Sequence, residues 1–216
     1  DYSGGATCPS LLLEPSRTNL VKYSEYAGGT DWVLTNYSVS HNAAISPEGV
    51  QNAFQLDIPA TNGNARAQIG VTESTQYTFS FYVKRGTATE LKYSVFNLNN
   101  FSNIIAQTSY YSQTSATEWK RIEVTFTTPV GCTSAGVYID RDSQGDGTAF
   151  FYGVQCEQGS YPTSYIPNHS GGSVTRGEDY FKVINQEGLF GTNEGTFFME
   201  FAFDINNKYI AIGDTY

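Results

Sequence analysis

Three aspartates in one short segment come nearest to a metal site. Asp140-Arg141-Asp142-Ser143-Gln144-Gly145-Asp146-Gly147 sets carboxylate oxygens at spaced positions around a glycine turn, as a calcium loop does. An EF-hand loop ends with an acidic side chain at its twelfth position, and counting from Asp140 that position is Phe151, in a strand-like stretch. Asp140, Asp142 and Asp146 are therefore the candidate ligands for a structural calcium ion. The competing reading is a polar turn at the tip of a hairpin, where Asp and Gly are common for conformational reasons alone. No other cofactor is expected.

Catalytic chemistry finds no foothold. His41 and His169 are the only histidines, and each lies in a polar, turn-like stretch without partners for a triad or a metal cluster. The chain has no GxSxG, HExxH, P-loop or GxGxxG pattern. Two-carboxylate glycosidase chemistry is formally open to a chain with 21 acids, but nothing singles out a pair. The expectation is no catalytic residue and no enzyme.

Binding chemistry is better supplied. Sugar rings stack on flat aromatic faces while their hydroxyls take polar neighbours. Trp32, Tyr93, Tyr110 and Tyr111, with Asn97, Asn99 and Asn100 nearby in sequence, could build such a platform. The glycan-contact candidates are Trp32, Tyr93, Asn97, Asn99, Tyr110 and Tyr111. Core packing competes for each tryptophan, and exposed Tyr110-Tyr111 would serve a protein contact as well.

The elements that must hold these residues read as strands. Phe54, Leu56 and Ile58 alternate with polar neighbours, as do Ala65, Ala67, Ile69 and Val71. Tyr77, Phe79, Phe81 and Val83 form the clearest stripe. Leu91, Tyr93 and Val95 follow, then Ile122, Val124 and Phe126, then Val137 and Ile139, then Phe150, Tyr152, Val154 and Cys156. One apolar and one polar face per strand is the pattern of antiparallel sheets packed on one side. Asn62-Gly63, Arg85-Gly86 and Pro129-Val130-Gly131 punctuate the runs. The fold class predicted is all-β: an antiparallel β-sandwich, or jelly roll, plus the first strands of a second sandwich.

Bulk properties bound the partners. The 216 residues carry a net charge of −9, with 12 basic residues that form no stripe, which argues against nucleic acid. No apolar run approaches the length of a membrane span, so no membrane insertion is expected. The three cysteines, Cys8, Cys132 and Cys156, show no zinc spacing. A Cys132–Cys156 bridge and buried free thiols are both open readings. Composition shifts at residues 167–178, where Pro167-Asn168-His169-Ser170-Gly171-Gly172-Ser173 reads as a linker. Beyond it Phe197, Met199, Phe201, Phe203 and Ile205 alternate like a strand. The expected organisation is an opening segment 1–20 that packs on the module, a jelly-roll domain 21–167, a linker 168–178, and the truncated start of a second sandwich at 179–216. A first residue other than Met and a last one inside an apparent strand suggest a segment of a longer protein.

Two longer signatures flank the module. The first is Asp1-Tyr2-Ser3-Gly4-Gly5 followed by Leu11-Leu12-Leu13-Glu14-Pro15-Ser16-Arg17-Thr18-Asn19-Leu20. The second is Glu157-Gln158-Gly159-Ser160-Tyr161-Pro162-Thr163-Ser164-Tyr165-Ile166-Pro167 with Val174-Thr175-Arg176-Gly177-Glu178-Asp179. Together with Gln76–Lys84 and Trp119-Lys120-Arg121-Ile122 they resemble segments of tailed-phage fibre and virion surface proteins. In those proteins a jelly roll similar to carbohydrate-binding modules precedes a concanavalin- or laminin-G-like domain. The resemblance implies a virion structural protein of tail fibre, tail tip or head fibre, placed on the virion surface. It would contact other virion proteins and host-surface glycans, and form homo-oligomers. It carries over no catalytic or sugar-binding residue. The alternative is a non-catalytic carbohydrate-binding module of a secreted, extracellular bacterial enzyme. Leu11–Leu13 reads as a buried strand, and the opening and closing segments as packing together.

Overall fold

The computed structural model describes residues 12–180. Its strands form two five-stranded sheets and one two-stranded ribbon. The first sheet runs, in spatial order, β2 (Trp32–Thr35), β5 (Asn64–Gly70), β10 (Ser134–Arg141), β7 (Lys92–Asn97) and β8 (Ser102–Ser109). The second runs β3 (Ser38–Ala44), β4 (Ala53–Ile58), β11 (Gly147–Gln158), β6 (Gln76–Lys84) and β9 (Lys120–Thr127). Every neighbouring pair is antiparallel. The chain passes repeatedly from one sheet to the other, which gives the jelly-roll sandwich that the alternating stripes predict. The expected strands of a second sandwich lie outside the described residues.

The two inner faces divide the labour of packing. The second sheet supplies rings: Phe54, Phe79, Phe81 and Phe151 are fully buried and stack or tilt against one another. The first sheet answers with small and branched residues, Ala65, Ala67, Val95, Ala135, Val137 and Ile139. Large against small lets the layers interdigitate without voids.

Two local features depart from simple alternation. Between β2 and β3 the chain is broken at Asn36, whose φ of 62° turns it out of the first sheet and into the second. Asparagine tolerates that left-handed backbone because its short amide bonds locally, here to the Asn62 carbonyl at 2.7 Å. The other feature is in β11. Phe150 and Tyr152 do not share a face with Val154 and Cys156. A bulge between Tyr152 and Gln155, with Gly153 at φ 61°, shifts the register, so Phe151 points inward before it and Val154 and Cys156 after it.

The ribbon joins the two ends of the module. In it β1 (Arg17–Asn19) pairs with β12 (Val174–Arg176), Arg17 opposite Arg176. Residues 168–178, whose composition reads as a linker, are thus bonded to the module. The buried Asn168 amide donates to the carbonyls of Val21 (2.9 Å) and Gly172 (2.8 Å). Leu12 and Leu13, read from sequence as part of a buried strand, are exposed and outside any strand. Cys132 and Cys156 are free and buried, with no bridge between them.

Candidate functional site

Most of the aromatic and amide residues singled out from the sequence face inward or brace turns. Trp32 is in the core, and its Nε1 donates to the Lys22 carbonyl at 2.9 Å. Tyr110 is fully buried, edge-on to Phe81 and stacked on Tyr93, and its hydroxyl donates to the Ile139 carbonyl at 2.6 Å. Tyr93 packs on the core from the same side. Asn97 is buried and its Oδ1 takes the Asn99 backbone N–H at 2.9 Å. Asn99 accepts from the N–H groups of Thr133 and Ser134, each at 2.9 Å, tying the β7–β8 turn to the start of β10. Tyr111 lies in a short 3-10 turn under the Arg85 guanidinium, 4.4 Å from its ring centre. These side chains are not assembled into one open surface.

The three aspartates also diverge. The β10–β11 connection crosses between sheets and is not a hairpin tip. Asp140 is buried and accepts from the Tyr37 hydroxyl (2.5 Å), the Ser143 hydroxyl (2.6 Å) and the Lys92 N–H (2.7 Å). Burial raises its carboxyl to about 6, against the pull of those donors. Burial and the adjacent Asp140 carboxyl likewise push the Tyr37 hydroxyl up. Asp142 takes a bond from Gln107 at 2.9 Å, and Asp146 is exposed. Among the described residues no group of three or more His, Cys, Asp or Glu is placed to hold a metal ion.

Aromatic and cationic groups meet on both sheets: Lys84 lies over Trp119 and Phe150 and Arg121 over Tyr82 on the second, and a longer strip runs across the outer face of the first. Register places Val33, Arg66, Tyr138 and Ser94 in one row across it, and Gln68, Gly136, Phe96 and Asn103 in the next. Phe96 and Tyr138 meet edge-to-face at 6.5 Å. The Arg141 guanidinium lies over both, 4.6 Å from the Phe96 centre and 4.9 Å from Tyr138. The Arg66 guanidinium also lies over Tyr138, 5.8 Å from its ring centre. Gly136 makes room for this: a Cβ there would meet Arg66 Nη1 and the Tyr138 ring, each at 3.2 Å. Arg141 Nη1 donates to Asn103 Oδ1 at 2.8 Å, and Gln68 reaches Ser134 at 3.4 Å. Aromatic area, planar donors and amides in adjacent rows are what a sugar needs: apolar contact for its C–H face and paired groups for its hydroxyls.

The outer face of the second sheet is partly occupied by the module's own ends. Tyr165 stands edge-on to Tyr152 at 5.2 Å, and its hydroxyl bonds Ser24 (2.5 Å) and Glu25 (3.0 Å). Glu157 is fully buried and accepts from the Thr163 N–H at 2.9 Å and hydroxyl at 3.1 Å, and from the Gln155 amide. Glu14 accepts from Ser164 N–H and is paired with Arg176, both at 2.7 Å, and its own N–H meets Asp179 at 3.1 Å. A cleft of about 750 Å³ lies beside β1. Its one aromatic, Tyr77, is buried with its hydroxyl bonded to Thr72, so the cleft offers no ring for stacking.

Comparison with known proteins follows this geometry. The carbohydrate binding domain family matches residues 21–144, more than half of the chain. The chain belongs to that family. Arg66, Phe96, Tyr138 and Arg141 all fall within the matched residues. The domain is also 28% identical over 169 residues to the tRNA3(Ser)-specific nuclease WapA of Bacillus spizizenii, and 27% to the tRNA nuclease WapA of Bacillus subtilis. Each match covers 69% of this chain and 7% of the relative, so the chain spans a small part of those proteins. Among solved structures it resembles the enzymatically active domain of tailspike protein 4 of bacteriophage CBA120 (TM-score 0.49, 14% identity, 65% of this chain and 21% of that one). It also resembles the CBM22-1 xylan-binding domain of Paenibacillus barcinonensis Xyn10C (TM-score 0.48, 13% identity, 65% and 92%).

Proposed function

We propose that this domain binds glycan, without catalysis, on the outer face of its first sheet, as the adhesive module of a phage virion surface protein. The observation that supports the binding face most directly is the Phe96–Tyr138 pair under two guanidiniums, with Gln68 and Asn103 in the adjoining row. The side-chain hydrogen bonds of Gln68 and Arg141 run to residues of the same sheet; Tyr138 is buried beneath the guanidiniums and Phe96 is half-buried, so Phe96 is the ring of the pair more open to a ligand. No catalytic step is proposed, since the one buried carboxylate beneath the face, Asp140, is saturated by three donors. A glycan array tests the face: wild-type signals should vanish in Phe96→Ala and persist in Gln55→Ala, which alters the other sheet.

The virion setting is supported by the opening and closing signatures, whose motif residues bond each other through Glu14–Arg176 and the β1–β12 ribbon. In that setting the protein assembles with other virion proteins as a symmetric homo-oligomer on the particle surface. A second reading is a binding module of a secreted bacterial protein; the match to 7% of two Bacillus proteins favours a module within a larger bacterial chain. Immunogold electron microscopy with antibody to this domain separates the two. Gold on heads or tails supports the virion reading; bare particles with antigen in the culture supernatant support the secreted one.

A further inference from the structure

The cations of the binding face are unevenly placed for so acidic a chain. With 21 acids against 12 bases, carboxylates should be near most arginines. Yet the five strands of the first sheet carry Arg66, Lys92 and Arg141 and a single carboxylate, Asp140, which is buried beneath them and bonded to Tyr37, Ser143 and the Lys92 N–H. Among the described residues Arg17, Arg121 and Arg176 each pair with a glutamate, whereas Arg66, Arg85 and Arg141 have no acidic partner, and of these Arg66 and Arg141 share the first sheet. The Arg141 side chain bonds only neutral groups, Asn103 and Ser94. Arg66 is held still more loosely: its guanidinium lies over Tyr138 with no acceptor bonded to it, and since Nη1 is shielded from solvent, Nε and Nη2 are the donors a ligand could reach.

A guanidinium is a planar fork suited to a carboxylate, and those of Arg66 and Arg141 have no acid to fill it. Stacking on a ring holds such a group by about 1 kcal/mol, less than a charge-assisted bidentate bond supplies. Both guanidiniums lie close to the Tyr138 ring, 5.8 and 4.9 Å from its centre, so an arriving carboxylate would find two sets of donors along the aromatic strip.

We infer that the sugar taken by this face is acidic: a residue bearing a carboxylate, received by Arg66 and Arg141 while its ring packs on Phe96. This rests on the binding face proposed above. The chain's overall negative charge opposes indiscriminate binding of polyanions, so recognition requires the local pair of arginines and the stacking surface together.

The test is an array of matched acidic and neutral oligosaccharides, followed by calorimetric titration of each hit and of its carboxyl-reduced form. Acidic members should bind. Reduction of the carboxyl should abolish binding, Arg66→Gln and Arg141→Gln should each weaken it at least about tenfold, and affinity should fall as salt rises from about 0.05 to 0.5 M. Both glutamine variants keep a polar outer-face side chain, and unchanged melting would show that they remain folded. Neutral hits that are lost in Phe96→Ala but indifferent to the glutamine variants would overturn the acidic preference and leave the face standing. Hits that survive Phe96→Ala, or no hits, would overturn both. Equal affinity for an oligothymidylate of matched charge would also overturn it, as plain polyanion binding.

Discussion

Tyr165→Ala tests whether the closing segment is structurally part of the module. The half-buried ring packs edge-on against Tyr152, and the bare Gly153 lets it sit 3.3 Å from where a Cβ would stand. Removing roughly 100 Å² of buried apolar ring costs about 2.5 kcal/mol, and losing the aromatic pair about another 1. The hydroxyl bridges Ser24 and Glu25, so its loss strands two partners at about 1 kcal/mol. Tyr165→Ala should therefore destabilise by about 4 kcal/mol, and Tyr165→Phe by about 1. For a domain of this size that is a fall in Tm of roughly 8–16 °C for the first and 2–4 °C for the second. Differential scanning calorimetry reads both, and limited proteolysis should cut the alanine variant first near residues 159–168. A Tyr165→Ala protein that melts within 2 °C of wild type (roughly the smallest shift the phenylalanine variant should give) would refute the reasoning, because the contacts would then contribute nothing to the fold.

Three further outcomes follow from particular residues. The Asp140 carboxyl is raised from 3.8 to about 6, so the native state holds that proton more tightly than the unfolded chain does. This group's contribution is most favourable below pH 4 and is lost as pH rises toward 6, by up to about 3 kcal/mol. Urea midpoints at pH 4 and 7 should show that slope, and Asp140→Asn should flatten it; equal slopes would contradict it. Phe101 is 77% exposed with φ 58°, a left-handed backbone that costs a bulky residue about 1 kcal/mol. Phe101→Gly should raise stability by about 0.5 kcal/mol in the same urea assay, since glycine's larger unfolded entropy offsets part of the relief. Gly145→Ala should lower it by about 3 kcal/mol or more, because the added Cβ would collide with the Glu90 carbonyl oxygen.

The architecture was legible because alternation is a direct print of a half-buried strand. Tyr77, Phe79, Phe81 and Val83 read as one face and pack as one face. The same rule sorts the aromatics by side, which composition alone does not. Tyr93 belongs to the Leu91–Tyr93–Val95 stripe and therefore points inward. Phe96 lies on the opposite face of β7 beside Ser94, and Tyr138 stands between the inward Val137 and Ile139. A large aromatic on the wet side of a strand was the available signal, and Arg66 and Gln68 share that side of β5. What could not be read was the pairing order that sets β10 between β5 and β7 and so brings Arg66, Tyr138 and Phe96 together. The bulge at Gly153 was equally hidden, because one extra residue inverts the parity of everything after it.

The central claim is that carbohydrate docks on the outer face of the first sheet. A titration of 15N-labelled domain with an array-selected oligosaccharide, followed by two-dimensional NMR, tests it most directly. The account predicts that amide shifts concentrate on Arg66, Gln68, Phe96, Asn103, Gly136 and Tyr138, with the residues of β4 and β9 unmoved. Shifts gathered on the second sheet or in the cleft beside β1, with this strip silent, would contradict it.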